Sequence, residues 1–118
     1  MAVMDPTDSS AKLLHKALRL TEAFRELDPN LGAQTIATLI TVALTPGVTP
    51  NDLVERLGYT GASATRNWTH LSTRRNGLGL IHDRPDARDY RRRELHLTPR
   101  GTAFLLKIIA ILGDHEPA

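Results

Sequence analysis

Arginine supplies most of the positive charge of this chain, and most of the arginines lie in one segment. Nine arginines and only four acidic residues fall between positions 66 and 100, whereas acidic residues outnumber basic ones in the remainder. A guanidinium group can form two parallel hydrogen bonds with a phosphate or with the edge of a guanine base. The segment therefore predicts a surface that binds a polyanion, although a solvated arginine-rich hairpin would have the same composition.

A second set of polar side chains lies on a helix that the sequence predicts at about residues 62–75. Ala64, Trp68 and Leu71 recur at helical spacing and should pack inward, which turns the polar side chains outward. Arg66 has the length and the two donors that guanine recognition in the major groove requires, and hydroxyls at the helix start favour phosphate. The candidate contacts of this set are Thr60, Ser63, Thr65, Arg66, Asn67, Thr69, His70, Arg74 and Arg75. A polar face that contacts only water is the alternative.

The other arginines lie in a predicted β-hairpin at about residues 79–97, in which two alternating stretches flank a polar turn. An arginine at the tip of such a hairpin is attracted by the negative potential of the DNA minor groove. Because side chains alternate along a strand, one or two of the arginines must point away from a bound duplex or pair with a carboxylate. We expect Asp86 and Asp89 to accept hydrogen bonds that fix the tip. The candidate contacts in the hairpin are Arg84, Arg88, Arg91 and Arg93.

Helices must position both sets of side chains, and the chain carries clear helix signals. Thr49 and Asp52 flank Pro50 with the spacing of a capping box, so a helix is expected to start there and to end at Gly58. A short glycine-containing turn then leads into the helix with Arg66, which is the plan of a helix-turn-helix. The chain is predicted to be one mainly α domain with a small β-hairpin, a winged helix-turn-helix. Its predicted segments are a flexible tail at 1–8, helices at 9–28, 33–44, 51–57, 62–75 and 98–113, and a DNA-binding core at 33–97.

Four motifs follow one another in an order that resembles the MarR family of winged helix-turn-helix transcription regulators. They are Val48–Gly58 before the turn, Ser63–Leu71 in the following helix, Gly79-Leu80-Ile81 at the start of the hairpin, and Asp86–Arg91 followed by Leu97-Thr98-Pro99-Arg100-Gly101. The last motif is the most specific, because both the Asp-x-Arg tip and its distance from Leu-Thr-x-x-Gly fit the family. Together the motifs cover about residues 33–105.

The resemblance implies a homodimer that binds a two-fold-related duplex site, with the helix at 62–75 in the major groove and the hairpin on the backbone or in the minor groove. It also implies a regulator of transcription that acts as a repressor. The residues agree that apolar surface must be covered, because the last helix is rich in Leu and Ile. The helices at 9–28 and 98–113 are the expected dimer contacts, although packing of these two helices within one chain would also cover them.

One stretch departs from the family pattern. Ser72–Leu78 separates the end of the recognition helix from the Gly-Leu of the hairpin, where the family usually has fewer residues. This longer form resembles a divergent branch that occurs on phages and mobile elements. We expect it to set the hairpin at an unusual distance from the recognition helix. The short C-terminus and the few aromatic residues leave a small-molecule effector possible but without support.

Other functions have less support in the sequence. The chain has no cysteine, and its five histidines show neither metal-ligand spacing nor a catalytic triad, so we expect no enzyme activity, no metal and no cofactor. His82 and His96 lie on the two hairpin strands, where ordinary cross-strand packing is expected. A winged helix within a phage or plasmid replication or partition complex, or in protein–protein contact, stays open as the alternative. No signal peptide or membrane span is recognised, so a cytoplasmic protein is expected.

Overall fold

The computed structural model describes residues 9–74 and 76–113, and the predicted tail at 1–8 and Arg75 lie outside the described residues. The described residues form five helices and one two-stranded antiparallel sheet, as the sequence predicts. The elements are α1 (Ser9–Leu27), α2 (Ala33–Leu44), α3 (Pro50–Leu57), α4 (Gly61–Leu71), β1 (Ile81–Pro85), β2 (Arg93–Leu97) and α5 (Pro99–Leu112). They divide into two compact units, which we name the winged unit, Gly32–Leu105, and the terminal-helix unit, residues 9–31 and 106–113.

Burial of aliphatic side chains holds the winged unit together. α2 is apolar around much of its circumference, and its Leu39 and Val42 are fully buried. The other large aliphatic side chains of the unit that are fully buried are Val48, Leu53, Leu71, Leu80, Ile81 and Leu95. Burying one such side chain stabilises the folded state by about 1.5–3 kcal/mol relative to leaving it exposed. This burial offsets the low helix propensity of the three threonines in α2.

α3 begins with the capping box that the sequence predicts. The Thr49 hydroxyl accepts a hydrogen bond from the Asp52 backbone N–H at 3.1 Å, and the Asp52 carboxylate accepts one from the Thr49 N–H at 2.9 Å. The bond from the Thr49 N–H holds the pKa of Asp52 below its usual range. Gly58 ends the helix with a φ of 70°, a left-handed conformation that glycine adopts at little cost.

The hairpin pairs β1 with β2 and places His82 opposite His96. The two imidazole rings stack with their centroids 5.8 Å apart, which is the cross-strand packing expected from the sequence. Among the residues that the structure describes, no group of three or more His, Cys, Asp or Glu side chains is placed to hold a metal ion. Val48, just before α3, forms an antiparallel bridge with Leu95 of β2, so the chain that enters α3 extends the sheet.

The first turn of α5 packs directly on the residues that precede β1. The sequence predicts a strand from residue 79, but Gly79 adopts a φ of 75°, which an extended strand does not allow, so β1 begins at Ile81. The Thr98 hydroxyl accepts from the Gly101 N–H at 3.0 Å and donates to the Gly79 carbonyl oxygen at 2.7 Å. A Cβ atom at position 101 would overlap the Leu80 carbonyl oxygen. The Leu-Thr-x-x-Gly motif therefore has two structural roles. Its threonine caps α5, and its glycine allows the backbone of α5 to approach the backbone of Leu80 closely.

The terminal-helix unit consists of α1 and the C-terminal part of α5. The Lys16 ammonium donates to the Leu112 carbonyl oxygen at 3.2 Å, and Lys107 pairs with Glu26 at 3.2 Å. Large apolar side chains of this unit that are more than half exposed are Leu13, Leu14, Leu18, Leu106, Ile109 and Leu112. Among the described helices, none combines the length and the apolar character needed to span a membrane.

Candidate nucleic-acid interface

α4 is the second helix of the helix-turn-helix, and its inner face is buried as the sequence predicts. Ala64, Trp68 and Leu71 all lie in the core of the winged unit. The Thr60 hydroxyl oxygen accepts a hydrogen bond from the Ser63 N–H at 3.0 Å and thereby caps the helix. A hydroxyl that accepts one bond still carries a hydrogen to donate, so the cap is compatible with a contact from Thr60 to phosphate.

A seam of neutral hydrogen bonds joins α4 to the start of α2. The Gln34 side-chain oxygen accepts from the Ser63 hydroxyl at 2.6 Å and from the Asn67 amide at 3.1 Å. The Thr35 hydroxyl donates to the Asn67 side-chain oxygen at 2.8 Å, and the Tyr59 hydroxyl donates to the Gln34 carbonyl oxygen at 2.7 Å. Ser63 and Asn67, two of the candidate contacts, thus bond to α2 in this structure. The sequence did not predict these partners. The available signal was the polar pair Gln34-Thr35 in the first turn of α2, a mainly apolar helix.

The outer face of α4 carries the remaining candidates of the helix. Thr65 and Arg66 are exposed, and Arg66 forms no hydrogen bond or ion pair with any residue in 9–74 or 76–113. Thr69 and His70, about one turn further along, are half-buried. The first half of α4 therefore presents a guanidinium group to solvent beside a hydroxyl.

α4 ends at Leu71, whereas the sequence predicts a helix to residue 75. The Ser72 hydroxyl donates to the Thr69 carbonyl oxygen at 2.7 Å and accepts from the Arg74 N–H at 3.1 Å. These local bonds replace the next helical turn, and Ser72 adopts an extended backbone with a ψ of 175°. The prediction that Arg74 lies on the recognition helix is therefore wrong, and Arg75 lies outside the described residues.

Leu78, Gly79 and Leu80 lie against the end of α4, so the chain returns to this helix before β1. The Leu78 N–H donates to the His70 carbonyl oxygen and the Leu80 N–H to the Leu71 carbonyl oxygen, both at 2.8 Å. These bonds satisfy carbonyl groups that the end of a helix leaves without an intrahelical partner. The chain therefore returns to the C-terminus of α4 just before β1 begins, and the unusual distance between hairpin and helix that the longer stretch suggests stays a prediction.

Asp83 of β1 pairs with two arginines that the sequence offers as DNA contacts. Its side chain is only 6% exposed, and its carboxylate accepts from Arg74 at 2.7 and 3.2 Å and from the Arg93 Nε at 2.9 Å. The bond from Arg74 lowers the pKa of Asp83 and raises the pKa of Arg74. The Arg74 guanidinium also lies over the Trp68 ring, 5.2 Å from its centroid. We name Arg74, Asp83 and Arg93 the Asp83 cluster.

The tip of the hairpin is built by two other carboxylates. Asp86 accepts hydrogen bonds from the backbone N–H groups of Arg88 at 2.7 Å and Asp89 at 3.3 Å, and these bonds lower the pKa of Asp86. Asp89 accepts from the Arg91 N–H at 3.1 Å and from its Nε at 3.2 Å. The Arg91 side chain is nevertheless 84% exposed. The tip thus holds its backbone in place while its arginine side chains face solvent.

The other arginines of the hairpin differ in how they are paired. Arg84 lies 3.7 Å from Glu94, which is a long contact between an exposed side chain and a half-buried one. The side chains of Arg88 and Arg92 are exposed and form no hydrogen bond or ion pair with any residue that the structure describes. Arg92 is not among the contacts that the sequence predicts, because alternation along the strand places it on the opposite face from Arg91 and Arg93.

A helix-turn-helix formed by α3 and α4 and followed by a two-stranded wing defines a winged helix-turn-helix protein. No protein-family model and no curated protein matches this sequence. Solved structures do match: the S. aureus MepR–DNA complex has a TM-score of 0.70 at 24% identity, covering 87% of this chain and 71% of that chain. A mutant MarR from E. coli complexed with operator DNA has a TM-score of 0.61 at 20% identity, covering 96% of this chain and 80% of that chain.

YusO from Bacillus subtilis has a TM-score of 0.65 at 16% identity and covers 86% of this chain and 68% of that chain. The matched structures are MarR-family winged-helix regulators, and this chain has their fold. The fold that the sequence resemblance implies is therefore confirmed.

Proposed function

We propose that this chain is a sequence-specific, double-stranded DNA-binding regulator of transcription. The observation that carries the proposal is Arg66, an exposed guanidinium in α4 without a hydrogen-bond or ion-pair partner among the described residues. The second helix of a helix-turn-helix enters the major groove with its N-terminal residues on base edges. The MepR and MarR structures that share this fold contain DNA, which supports the same use of the fold here.

The wing provides the second contact of the proposed complex. Arg91 projects from a tip that Asp86 and Asp89 hold in place, and an arginine there fits the negative potential of a narrow minor groove. Arg84 and Arg88 are exposed and suit the phosphate backbone. α4 would thus read bases while the wing supplies affinity for any duplex.

Selection of bound sequences from random duplex DNA tests this division. Arg66→Ala is expected to relax the preference at one base pair and to weaken binding to the selected site by about 1–3 kcal/mol, because a bidentate contact to guanine is lost. Arg91→Ala is expected to weaken binding to all sequences and to lower the salt slope by about one, because one phosphate-neutralising charge is lost.

Two matched variants make the selection decisive. Arg66→Lys keeps the charge but not the planar pair of donors, so it should keep the salt slope and lose the base preference. Arg25→Ala removes an arginine of α1, which belongs to neither element, and should change neither quantity. Absence of duplex binding by the unaltered protein at low salt would refute the proposal and favour a role in protein contact. Equal behaviour of Arg66→Ala and Arg91→Ala would contradict the division between α4 and the wing.

We further propose that a second copy of this chain covers the exposed apolar side chains of α1 and α5. The terminal-helix unit leaves Leu14, Leu18 and Ile109 more than half exposed, and a monomer rarely leaves such a set in water. A two-fold dimer also matches a DNA site with two half-sites about 34–36 Å apart, which is one helical turn.

Sedimentation equilibrium tests the dimer. Ile109→Glu is expected to convert a dimer to a monomer, because it buries a charge in the shared surface. Leu44→Glu is the control, because Leu44 is 78% exposed but lies at the end of α2 in the winged unit. A monomer at all concentrations, or dissociation by Leu44→Glu alone, would contradict the assignment of the dimer to the terminal helices.

The proposed direction of regulation is repression. A protein that occupies a duplex site overlapping a promoter excludes RNA polymerase, and no activating surface is needed for that effect. A reporter gene placed behind the selected DNA sequence should therefore be expressed less when the unaltered protein is present and should recover with Arg66→Ala. Increased expression with the unaltered protein would identify an activator instead.

A further inference from the structure

We infer that Asp83 is a positioning residue that decides which arginines reach DNA. Its carboxylate holds Arg74 and Arg93 against the protein and fixes the wing beside the end of α4. The inference rests on the proposed function, because its main readout is binding to duplex DNA. Beyond that function, Asp83 is given a role as an acidic residue within a surface that is otherwise rich in arginine.

The Asp83 cluster joins three separate segments of the winged unit. Arg74 belongs to the segment after α4, Asp83 to β1 and Arg93 to β2. Both carboxylate oxygens accept from guanidinium groups, at 3.2 Å on one oxygen and at 2.7 and 2.9 Å on the other. A carboxylate so far removed from water is costly unless its oxygens are bonded in this way. The cluster therefore holds one relative position of the strands and of the segment after α4.

The cluster also removes charge from the set that DNA can use. Arg74 presents both its Nε and a terminal nitrogen to Asp83, so this edge of its guanidinium group and its charge are engaged within the protein, although the side chain is 54% exposed. Arg91 differs, because only its Nε contacts a carboxylate, at 3.2 Å, and its side chain is 84% exposed. The arginine at the tip thus stays accessible, while two arginines at the base of the wing are held.

The variant Asp83→Asn keeps the size of the side chain and removes its charge. We expect it to bind a scrambled duplex more tightly than the unaltered protein does, with a salt slope steeper by about one to two, because two arginines become available to phosphates. The preference for the selected duplex over the scrambled one should fall at least about fivefold, the loss expected when one base contact is misplaced. A purely structural loss would weaken binding to both duplexes.

Trp68 provides an independent readout, because it is the only tryptophan of the chain and carries the Arg74 guanidinium over its ring. Asp83→Asn and Arg74→Gln should shift the wavelength of the Trp68 fluorescence emission of the folded protein in the same direction. Asp83→Glu restores the charge and should return both this emission wavelength and the salt slope of duplex binding toward their original values. Glu22→Gln is the control. It breaks a carboxylate–arginine pair of 2.6 Å on α1, outside the Asp83 cluster, and should change neither the Trp68 emission nor the salt slope.

The outcomes separate this inference from the proposed function. Equal weakening on both duplexes with Asp83→Asn, or an unchanged salt slope together with unchanged Trp68 emission, overturns the role of Asp83. If the unaltered protein binds no duplex, the proposed function fails, and the emission still decides whether Asp83 holds Arg74 over Trp68. An emission that Asp83→Asn leaves unchanged would then overturn the inference on its own.

Discussion

The recognition helix and the wing are held in place by different kinds of interaction. α4 is held by buried apolar side chains and by neutral hydrogen bonds from Ser63 and Asn67 to Gln34. The wing shares the buried side chains of Ile81 and Leu95 with the core, but it is also held by pairs of opposite charge, of which the bonds to the nearly buried Asp83 are the shortest. The position of α4 should therefore respond little to salt or acid, whereas the position of the wing should depend on ionised carboxylates.

The difference follows from what each element presents to the proposed ligand. α4 presents few charges, so neutral side chains suffice to orient it. The wing carries many arginines in a short stretch, and their mutual repulsion must be offset within the protein. Carboxylates at the base and tip of the wing offset it, and they leave Arg88 and Arg91 facing solvent.

The largest effect is expected from Gly101→Ala, where the wing segment meets α5. The added Cβ would overlap the Leu80 carbonyl oxygen, which is backbone and cannot turn aside, so the segment before β1 must move. We expect a loss of about 3 kcal/mol in the free energy of unfolding, measured by urea denaturation. The matched control is Gly61→Ala at the first residue of α4, where the new Cβ meets no atom. A loss of equal size at Gly61 would contradict the explanation.

A smaller and pH-dependent loss is expected from Asp83→Asn. The folded-state pKa of Asp83 is lowered, so its ion pairs stabilise the protein fully above the ordinary carboxyl pKa and cease to do so as the pH falls through the folded-state value. We expect the variant to be less stable by about 2 kcal/mol at pH 7. The difference should shrink as the pH falls below the ordinary carboxyl pKa and disappear below the folded-state pKa of Asp83. Urea unfolding at a series of pH values measures it.

Glu22→Gln provides the contrast for that measurement. Its pair with Arg25 is about half exposed, and such pairs contribute at most about 0.5 kcal/mol. A difference between Asp83→Asn and the unaltered protein that stays constant from neutral pH into acid would show that the charge of Asp83 does not hold the wing.

The seam between α2 and α4 should give a loss that does not depend on salt. Gln34→Ala removes the acceptor of both Ser63 and Asn67, and we expect a loss of about 1 kcal/mol in the free energy of unfolding. Gln34→Glu keeps oxygen acceptors at the same place and should retain most of the stability. Urea unfolding at low and high salt measures the loss. A strong salt dependence of the Gln34→Ala loss would contradict the view that neutral hydrogen bonds hold α4.

The smallest effect is expected at the start of α4. Thr60→Ala removes the oxygen that accepts the Ser63 N–H, and loss of such a cap costs about 0.5–1 kcal/mol. Thr65→Ala is the matched control, because Thr65 is exposed within the same helix and does not cap it, so its replacement should stay within about 0.5 kcal/mol. Equal losses at the two positions would show that the Thr60 cap contributes nothing specific.

Helix starts and the hairpin could be predicted because their signals are local. The Thr49–Asp52 capping box and the Thr98–Gly101 cap each join residues three positions apart, so the chain specifies them before any tertiary contact forms. α2 spans Ala33–Leu44, which are the bounds that its apolar pattern predicts. A pattern of this kind is read within one or two helical turns.

Tertiary structure decided the end of α4 and the partners of the polar side chains. The bond between Arg74 and Asp83 joins residues nine positions apart, and the bond between Asn67 and Gln34 joins residues thirty-three apart. Spacing does not specify such partners. Packing of α4 on α2 brings Asn67 to Gln34, and the return of the chain to α4 at Leu78 and Leu80 brings β1 near Arg74. The types of side chain available for a polyanion were therefore evident from sequence, whereas which of the arginines remain exposed was set by the folded chain.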